Sequence, residues 1–301
     1  MKTTPQPKLP QAETPTVRLM RQTYRNRSAQ LGSLLLLFLI LICLAAPLLT
    51  AADPNKINPS QTLRAPSLQY PMGTDGIGRD AFARFLYGGR LSLWVGLVAI
   101  AIGAVAGISL GLVAGYFGGW LDSVITWVTE ILLAFPDILL ALAIVAILGP
   151  GLVNTMIAVG IAFVPSFIRL TRSSVLAIRE MAYVEATKAL GGSHFQVVVN
   201  HILPNAMRTL LVLVTLGIGS SILAGAALSF LGLGAQPPTP EWGAMLNAGQ
   251  KFVRQAWWLT VFPGLGIFLT ILSINLIGDA LSDAVAGTTI AASSKSGTAK
   301  H

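Results

Sequence analysis

Six stretches of this chain, each close to twenty residues long, carry almost no charge: Leu31–Thr50, Leu91–Phe117, Ile131–Leu148, Leu152–Leu170, Leu210–Leu233 and Leu259–Ile277. About 20 apolar residues in a helix cross the roughly 30 Å core of a bilayer. Backbone polar groups find no water there, so runs of this length predict helices. The chain is therefore read as an all-α, polytopic membrane protein with six transmembrane helices. Composition excludes the main alternatives. The sequence is 53% hydrophobic and 11% charged, against about 25% charged in soluble domains. It is too apolar to be disordered and too poor in charge to cover the surface of a soluble enzyme.

Between the runs, polarity and charge suggest an organisation. Residues 1–30 form a polar tail with Lys2, Lys8, Arg18, Arg21, Arg25 and Arg27 against one acid, Glu13. A cleaved signal peptide is the rival reading of the first apolar run. The long leading tail and a run long enough to span favour an uncleaved anchor over 31–50. Residues 51–90 contain Asp-Pro, Asn-Pro, Ala-Pro and Tyr-Pro steps and read as an extracytoplasmic loop. A core domain spans 91–285, with a tight turn at Gly149-Pro150-Gly151. Residues 286–301 are small and polar and read as a disordered cytoplasmic tail. With the N-terminus inside, inner segments hold 13 Lys/Arg and outer ones 7. Both termini are thus predicted cytoplasmic, although five basic residues in the first outer loop dilute the bias.

The net charge of +8 comes from those loops. No basic stripe interleaved with aromatics is present, so no nucleic-acid partner is expected. A single cysteine, Cys43, and three scattered histidines give neither an intramolecular disulfide nor a metal site. Gly107-Ile-Ser109-Leu-Gly111 matches a nucleophile elbow but lies mid-helix. Gly76-Ile-Gly78-Arg-Asp-Ala81 lacks the βαβ unit a dinucleotide site needs. No phosphate-binding P-loop occurs, so any ATP must be hydrolysed by another polypeptide.

Two features inside the spans stand out. Gly103, Gly107, Gly111, Gly115 and Gly119 recur every fourth residue, and Gly217, Ser221, Gly225 and Ser229 repeat the device. Such stripes let helices approach closely where lipid offers no hydrophobic drive. They serve either packing within the chain or contact with another subunit. Asp137, after Pro136, is a carboxylate in an apolar run. It sits either at the inner interface or on a translocation path.

The longest inner loop, 172–208, is the most informative segment. It contains Tyr183-Val-Glu185-Ala186-Thr187, then Gly191-Gly192, then His201-Ile-Leu203-Pro204-Asn205. A short helix, a glycine break and a second helix ending at Pro204 fit this pattern, with apolar positions at 184, 190, 195, 198 and 202. Glu185-Ala-Thr, Gly191 at the family spacing and Ile202-Leu203-Pro204 resemble the EAA loop of binding-protein-dependent ABC importer permeases. Thr187 stands where the family has a second alanine, and His201 where many members have isoleucine. Gly73-Thr-Asp75-Gly-Ile-Gly78-Arg79-Asp80, Leu86-Tyr-Gly-Gly-Arg90-Leu-Ser92, Ala134-Phe-Pro136, the stretch Leu228 through Pro-Thr-Pro-Glu241-Trp242-Gly, and Trp257-Trp258 through Asn275-Leu-Ile-Gly278-Asp279 extend the likeness over roughly 70–285. The whole resembles the C-type permease subunit of the dipeptide/oligopeptide family, which also includes nickel and glutathione importers.

The resemblance implies a bacterial inner-membrane complex of two permeases, two ABC ATPases and an extracytoplasmic solute-binding protein. It implies no catalytic residue and no cofactor in this chain, ATP and Mg being bound by the ATPases. Tyr183, Glu185, Ala186, Thr187, Gly191, Leu203 and Pro204 become the ATPase-coupling residues. Gly191 allows a sharp turn, and Glu185 pairs with a basic residue of the ATPase or caps backbone amides. The loop then acts as a rigid lever that tilts the bundle between two states. The outer segment Ala235–Trp258 becomes either a landing site for the binding protein or an extracytoplasmic plug without partner contact. An intramembrane hydrolase and a self-sufficient carrier are the rivals from other classes; neither explains the inner loop.

Overall fold

The structure, a computed structural model, describes residues 21–297, with side chains to residue 286. Nine helices organise the described part: α1 (Arg27–Leu44), α2 (Ala81–Phe117), α3 (Gly119–Leu133), α4 (Asp137–Leu148), α5 (Leu152–Arg179), α6 (Ala182–Ala189), α7 (Leu203–Phe230), α8 (Trp242–Gly249) and α9 (Trp258–Gly297). Single turns at Ala46–Leu49 and His194–Val197 supplement them, and no strand forms among the described residues. Five helical segments are long and apolar enough to cross a membrane: Arg27–Leu44, Ala81–Phe117, Leu152–Arg179, His194–Phe230 and Trp258–Ala286. A sixth crossing is broken. α3 and α4 meet that test only as a pair, bent by 95°.

Several boundaries differ from expectation, each for a physical reason. The run Ile131–Leu148 is not one helix, because Pro136 lacks an amide hydrogen and biases Phe135 away from helical geometry. Residues 118–130, expected as an inner loop, form most of α3 after Gly118 turns the chain at φ +67°. α2 begins ten residues before Leu91; Asp80 caps it by accepting from the amides of Phe82 and Ala83 at 2.8 and 3.0 Å. The loop 172–208 shrinks, since α5 continues to Arg179 and α7 starts at Leu203. α9 runs past residue 286 to Gly297, with no proline after Pro263 to stop it. In the N-terminal tail, residues 1–20 lie outside the described residues, as do 298–301.

α2 is the central element, and its most extensive pairing is with α5. A Cβ at Gly103 would lie 2.9 Å from the Gly160 carbonyl oxygen, and one at Gly111 or Gly115 would lie 2.6 or 2.8 Å from the Cβ of Thr171 or Val175. Gly107 abuts Phe167 in the same way. On the other side of α2, Gly217 and Gly225 of α7 receive Ile100 and Val95. Ser221 donates to the Gly96 carbonyl at 2.9 Å. The glycines of α2 and α7 are thus occupied by neighbouring helices of the same chain, whereas a Cβ at Gly119, at the start of α3, would meet nothing within 4 Å.

The end of the bundle that carries residues 51–80 and α8, here the cap end, is held by buried polar groups. Arg84 donates to the carbonyls of Pro54 and Pro238 at 3.0 and 3.2 Å. Glu241, 2% exposed, accepts from Ser92, Gly243 and Ala244 at 2.8, 3.0 and 2.9 Å. The indoles of Trp242 and Trp258 donate to the carbonyls of Phe85 and Thr74.

Candidate functional site

At the opposite end a small helical knob projects beyond α2 and α5. Its first part is α6, which carries Tyr183, Glu185, Ala186 and Thr187. Gly191 ends it with φ +84°; its amide bonds to Lys188 and that of Gly192 to Thr187, at 3.0 and 2.9 Å. This paired closure satisfies the last carbonyls and needs a left-handed residue where Gly191 stands. A Cβ there would touch nothing within 4 Å, so backbone conformation, not space, requires the glycine. Ser193 and Gln196 form a reciprocal capping box that restarts the helix. Val198–Ile202 is a π turn, with the Leu203 amide bonded to Val198. The wider turn relieves the clash that Pro204 imposes on a regular helix. Leu203 is half-buried and Pro204 exposed.

Apolar pins mount the knob on the bundle. Val184, Val197 and Ile202 are fully buried and join Tyr116, Val175 and Ile178 in one cluster that runs on into the membrane helices. Of the apolar positions in the sequence pattern, 184 and 202 point inward. Leu190 and Phe195, in the same pattern, point outward and are 89% and 76% exposed. Met181 and Tyr183 are exposed beside them, as are Glu185 and Ala186. Polar contacts are few: Tyr116 hydroxyl to His194 Nδ1 at 2.8 Å, Thr187 Oγ1 to His201 Nε2 at 3.3 Å, and Asn205 to the Tyr183 hydroxyl at 3.2 Å. The two departures from the family loop, Thr187 and His201, therefore touch each other. Fourteen residues separate them in the chain, and no local pattern announces the contact.

A second candidate lies in the membrane-spanning region. α4 holds 12 residues, a rise of about 18 Å, or about half a bilayer core. It returns through Gly149–Gly151 into α5. Asp137 at its start lines a pocket of about 200 Å³ with Ile138, Ala162, Phe163, Ser220 and Leu223. Phe163 is eleven residues into α5, about 16 Å along its axis. Both distances place Asp137 and its pocket about 16–18 Å along the bundle from the Gly149–Gly151 turn. The 95° bend between α3 and α4 sets this position, which the apolar run alone does not show. Pro136 precedes the pocket as the cap of α4. Nearer the knob, Thr126, Thr129, Glu130, Arg169, Arg172 and Ser173 line a second pocket of about 430 Å³. Arg172 is held by both oxygens of Asp122 at 2.5 and 2.7 Å. Arg169 and Ser220 were not singled out from the sequence; a charge count registers Arg169 without its position.

Residues 107–288 match the family described as the binding-protein-dependent transport system inner membrane component, and residues 14–66 match the N-terminal TM domain of oligopeptide transport permease C. The chain belongs to the binding-protein-dependent inner-membrane permease family. It is 46% identical to the dipeptide transport system permease protein DppC of Alkalihalophilus pseudofirmus, over 94% of this chain and 95% of that protein. It is 42% identical to the glutathione transport system permease protein GsiD of Escherichia coli, over 91% of each. In fold it is similar to a chain of the methionine ABC transporter MetNI, with a TM-score of 0.55 and 20% identity, covering 67% of this chain and 96% of that one. As a permease of this family, the chain has two parts that call for an account: the knob, and the wall of α3, α4, α5 and α7 that carries Asp137 and Arg169.

Proposed function

We propose that this permease is one of two membrane subunits of an ATP-driven importer of short peptides. Its knob and both termini face the cytoplasm. Two partner ATPases hold ATP and Mg and grip the knob, and a solute-binding protein delivers cargo to the cap end, around Ala235–Trp258. Dipeptide and glutathione permeases among the relatives support a cargo built of linked amino acids, with glutathione as the narrower alternative. This chain supplies the path and the handle, while bond cleavage in ATP belongs to the ATPases.

The observation that carries the coupling reading is the knob's construction. Its inner face is locked to α2 and α5 by fully buried Val184, Val197 and Ile202, so a push on it moves the bundle. Its outer face offers Leu190 and Phe195 almost wholly to solvent. Burying such side chains stabilises a complex by about 2 kcal/mol each. An ion pair at the rim adds about 0–1 kcal/mol, so the apolar contact supplies affinity and Glu185 sets register. Reversing that charge places like charges in contact. Glu185→Lys is expected to lower recovery of the ATPases on the tagged complex about tenfold, or about 1.4 kcal/mol. Unchanged stoichiometry in that pull-down would mean that the knob is not the dock.

A further inference from the structure

Asp137 makes no hydrogen bond or ion pair with any described residue, and it is exposed on the side of the isolated chain. Asp137 lies about 18 Å along α4 from the Gly149–Gly151 turn, and a lipid-facing carboxylate that far from a span's end is one of the costliest placements a membrane protein can have. The pocket beside it includes Ser220 and holds about 200 Å³, room for several waters. That side of the chain therefore faces water or cargo rather than lipid.

A second charge stands on the same wall. Arg169 comes seven residues after Ala162 on α5, which puts it on the same face and about 10 Å toward the knob. It too is exposed, and no described residue pairs with it. Its neighbour Arg172 is already committed to Asp122. Thr126, Thr129, Glu130 and Ser173 keep this lower pocket polar. The wall thus carries an unpaired anion above and an unpaired cation below, along the direction of passage.

We propose that Asp137 and Arg169 form a two-point cradle for a zwitterionic cargo, Asp137 taking its ammonium group and Arg169 its carboxylate. The rise of about 10 Å along α5 from Ala162, which lines Asp137's pocket, to Arg169 is comparable to an extended chain of about three residues at 3.3–3.6 Å each. Cargo then travels with its carboxylate leading. The cradle holds the cargo loosely, since each charge meets it singly and in water. This inference rests on the peptide-import reading above and deepens it.

The test uses the complete complex with its binding protein in proteoliposomes, with ATP and labelled trialanine as probe. Asp137→Asn and Arg169→Gln should each lower trialanine moved per ATP hydrolysed at least about tenfold, and Asp137→Glu should retain most of it, because charge rather than shape is what counts. Wild-type yield in both neutral variants overturns the cradle alone. Failure of both variants to assemble with the second permease assigns these charges to a subunit contact and also overturns it. A wild-type complex that hydrolyses ATP but moves no trialanine overturns the peptide reading and the cradle together.

Discussion

The two ends of the bundle are built on opposite plans. At the cap end, Arg84 and Glu241 are buried; distant Pro54, Pro238 and Ser92 and the neighbouring amides of Gly243 and Ala244 meet their polar atoms. At the knob end the buried groups are mainly aliphatic, with Tyr116 bonded to His194, and Leu190 and Phe195 stand in solvent. Buried polar networks tolerate little rearrangement, because every displaced partner leaves an unmet group. Apolar pins carry no such directional demand, yet they keep a small element seated on its mount. The cap's buried Arg84 and Glu241 find their partners within this chain. The knob is rigidly held but finished only when something covers Leu190 and Phe195. An element that transmits force needs that combination of firm mount and open face.

The largest effect is expected from breaking the knob's one obligatory backbone shape. Proline holds φ near −65°, whereas Gly191 has φ +84° and donates its amide to Lys188. Gly191→Pro loses both, at a local cost of about 3 kcal/mol or more. Uptake should fall at least about 100-fold, as expected when the engaged state becomes rare. Membrane-inserted protein should remain at its normal level, since the substitution touches no spanning segment. Cell uptake and the amount of inserted protein decide this, and normal uptake would mean that the knob needs no fixed shape.

The cap should respond differently, through stability rather than coupling. Glu241→Ala strips the acceptor from the Ser92 hydroxyl and from two helix-start amides. Leaving such groups unmet costs about 3 kcal/mol in total. The thermal midpoint of the detergent-solubilised complex should drop by roughly 5–10 °C. Transport per surviving complex should change little. A variant with wild-type stability would show that the buried acid is not what holds the cap.

The same contrast explains what could be read from the sequence. Spans were legible because twenty apolar residues have few alternatives. Their ends were not, because Arg84 and Arg90 made Ala81–Arg90 look like loop. In the fold Arg90 donates to the carbonyls of Cys43 and Leu44 at 2.6 Å, a partnership across more than forty residues. Glycine spacing announced close packing but not the partner helix. The knob's residues were legible as a family pattern, and its glycine as a turn. The wall is not legible: the apolar run leaves Asp137 open between an interface and a path, since a bend of 95° cannot be measured from a proline alone. Arg169 acquires meaning only once α5 sets it on the face that also carries Ala162.

The smallest expected effect probes the knob's plan most directly. Thr187 Oγ1 donates to the Tyr183 carbonyl at 2.8 Å and lies 3.3 Å from His201 Nε2. Both residues are only half-buried, so water replaces what Thr187→Ala removes, at a net loss of about 0.5–1 kcal/mol. Combined with His201→Ile it should show only weak coupling, about 0.5 kcal/mol, the low end for residues in contact. The apolar pins beneath remain in place in either variant, and uptake should stay within about twofold of normal. Uptake and protease resistance of the Leu190–Phe195 segment provide the measurements. A tenfold loss from Thr187→Ala alone would show that the knob, like the cap, is held by its polar contacts, and the distinction between the two ends would fail.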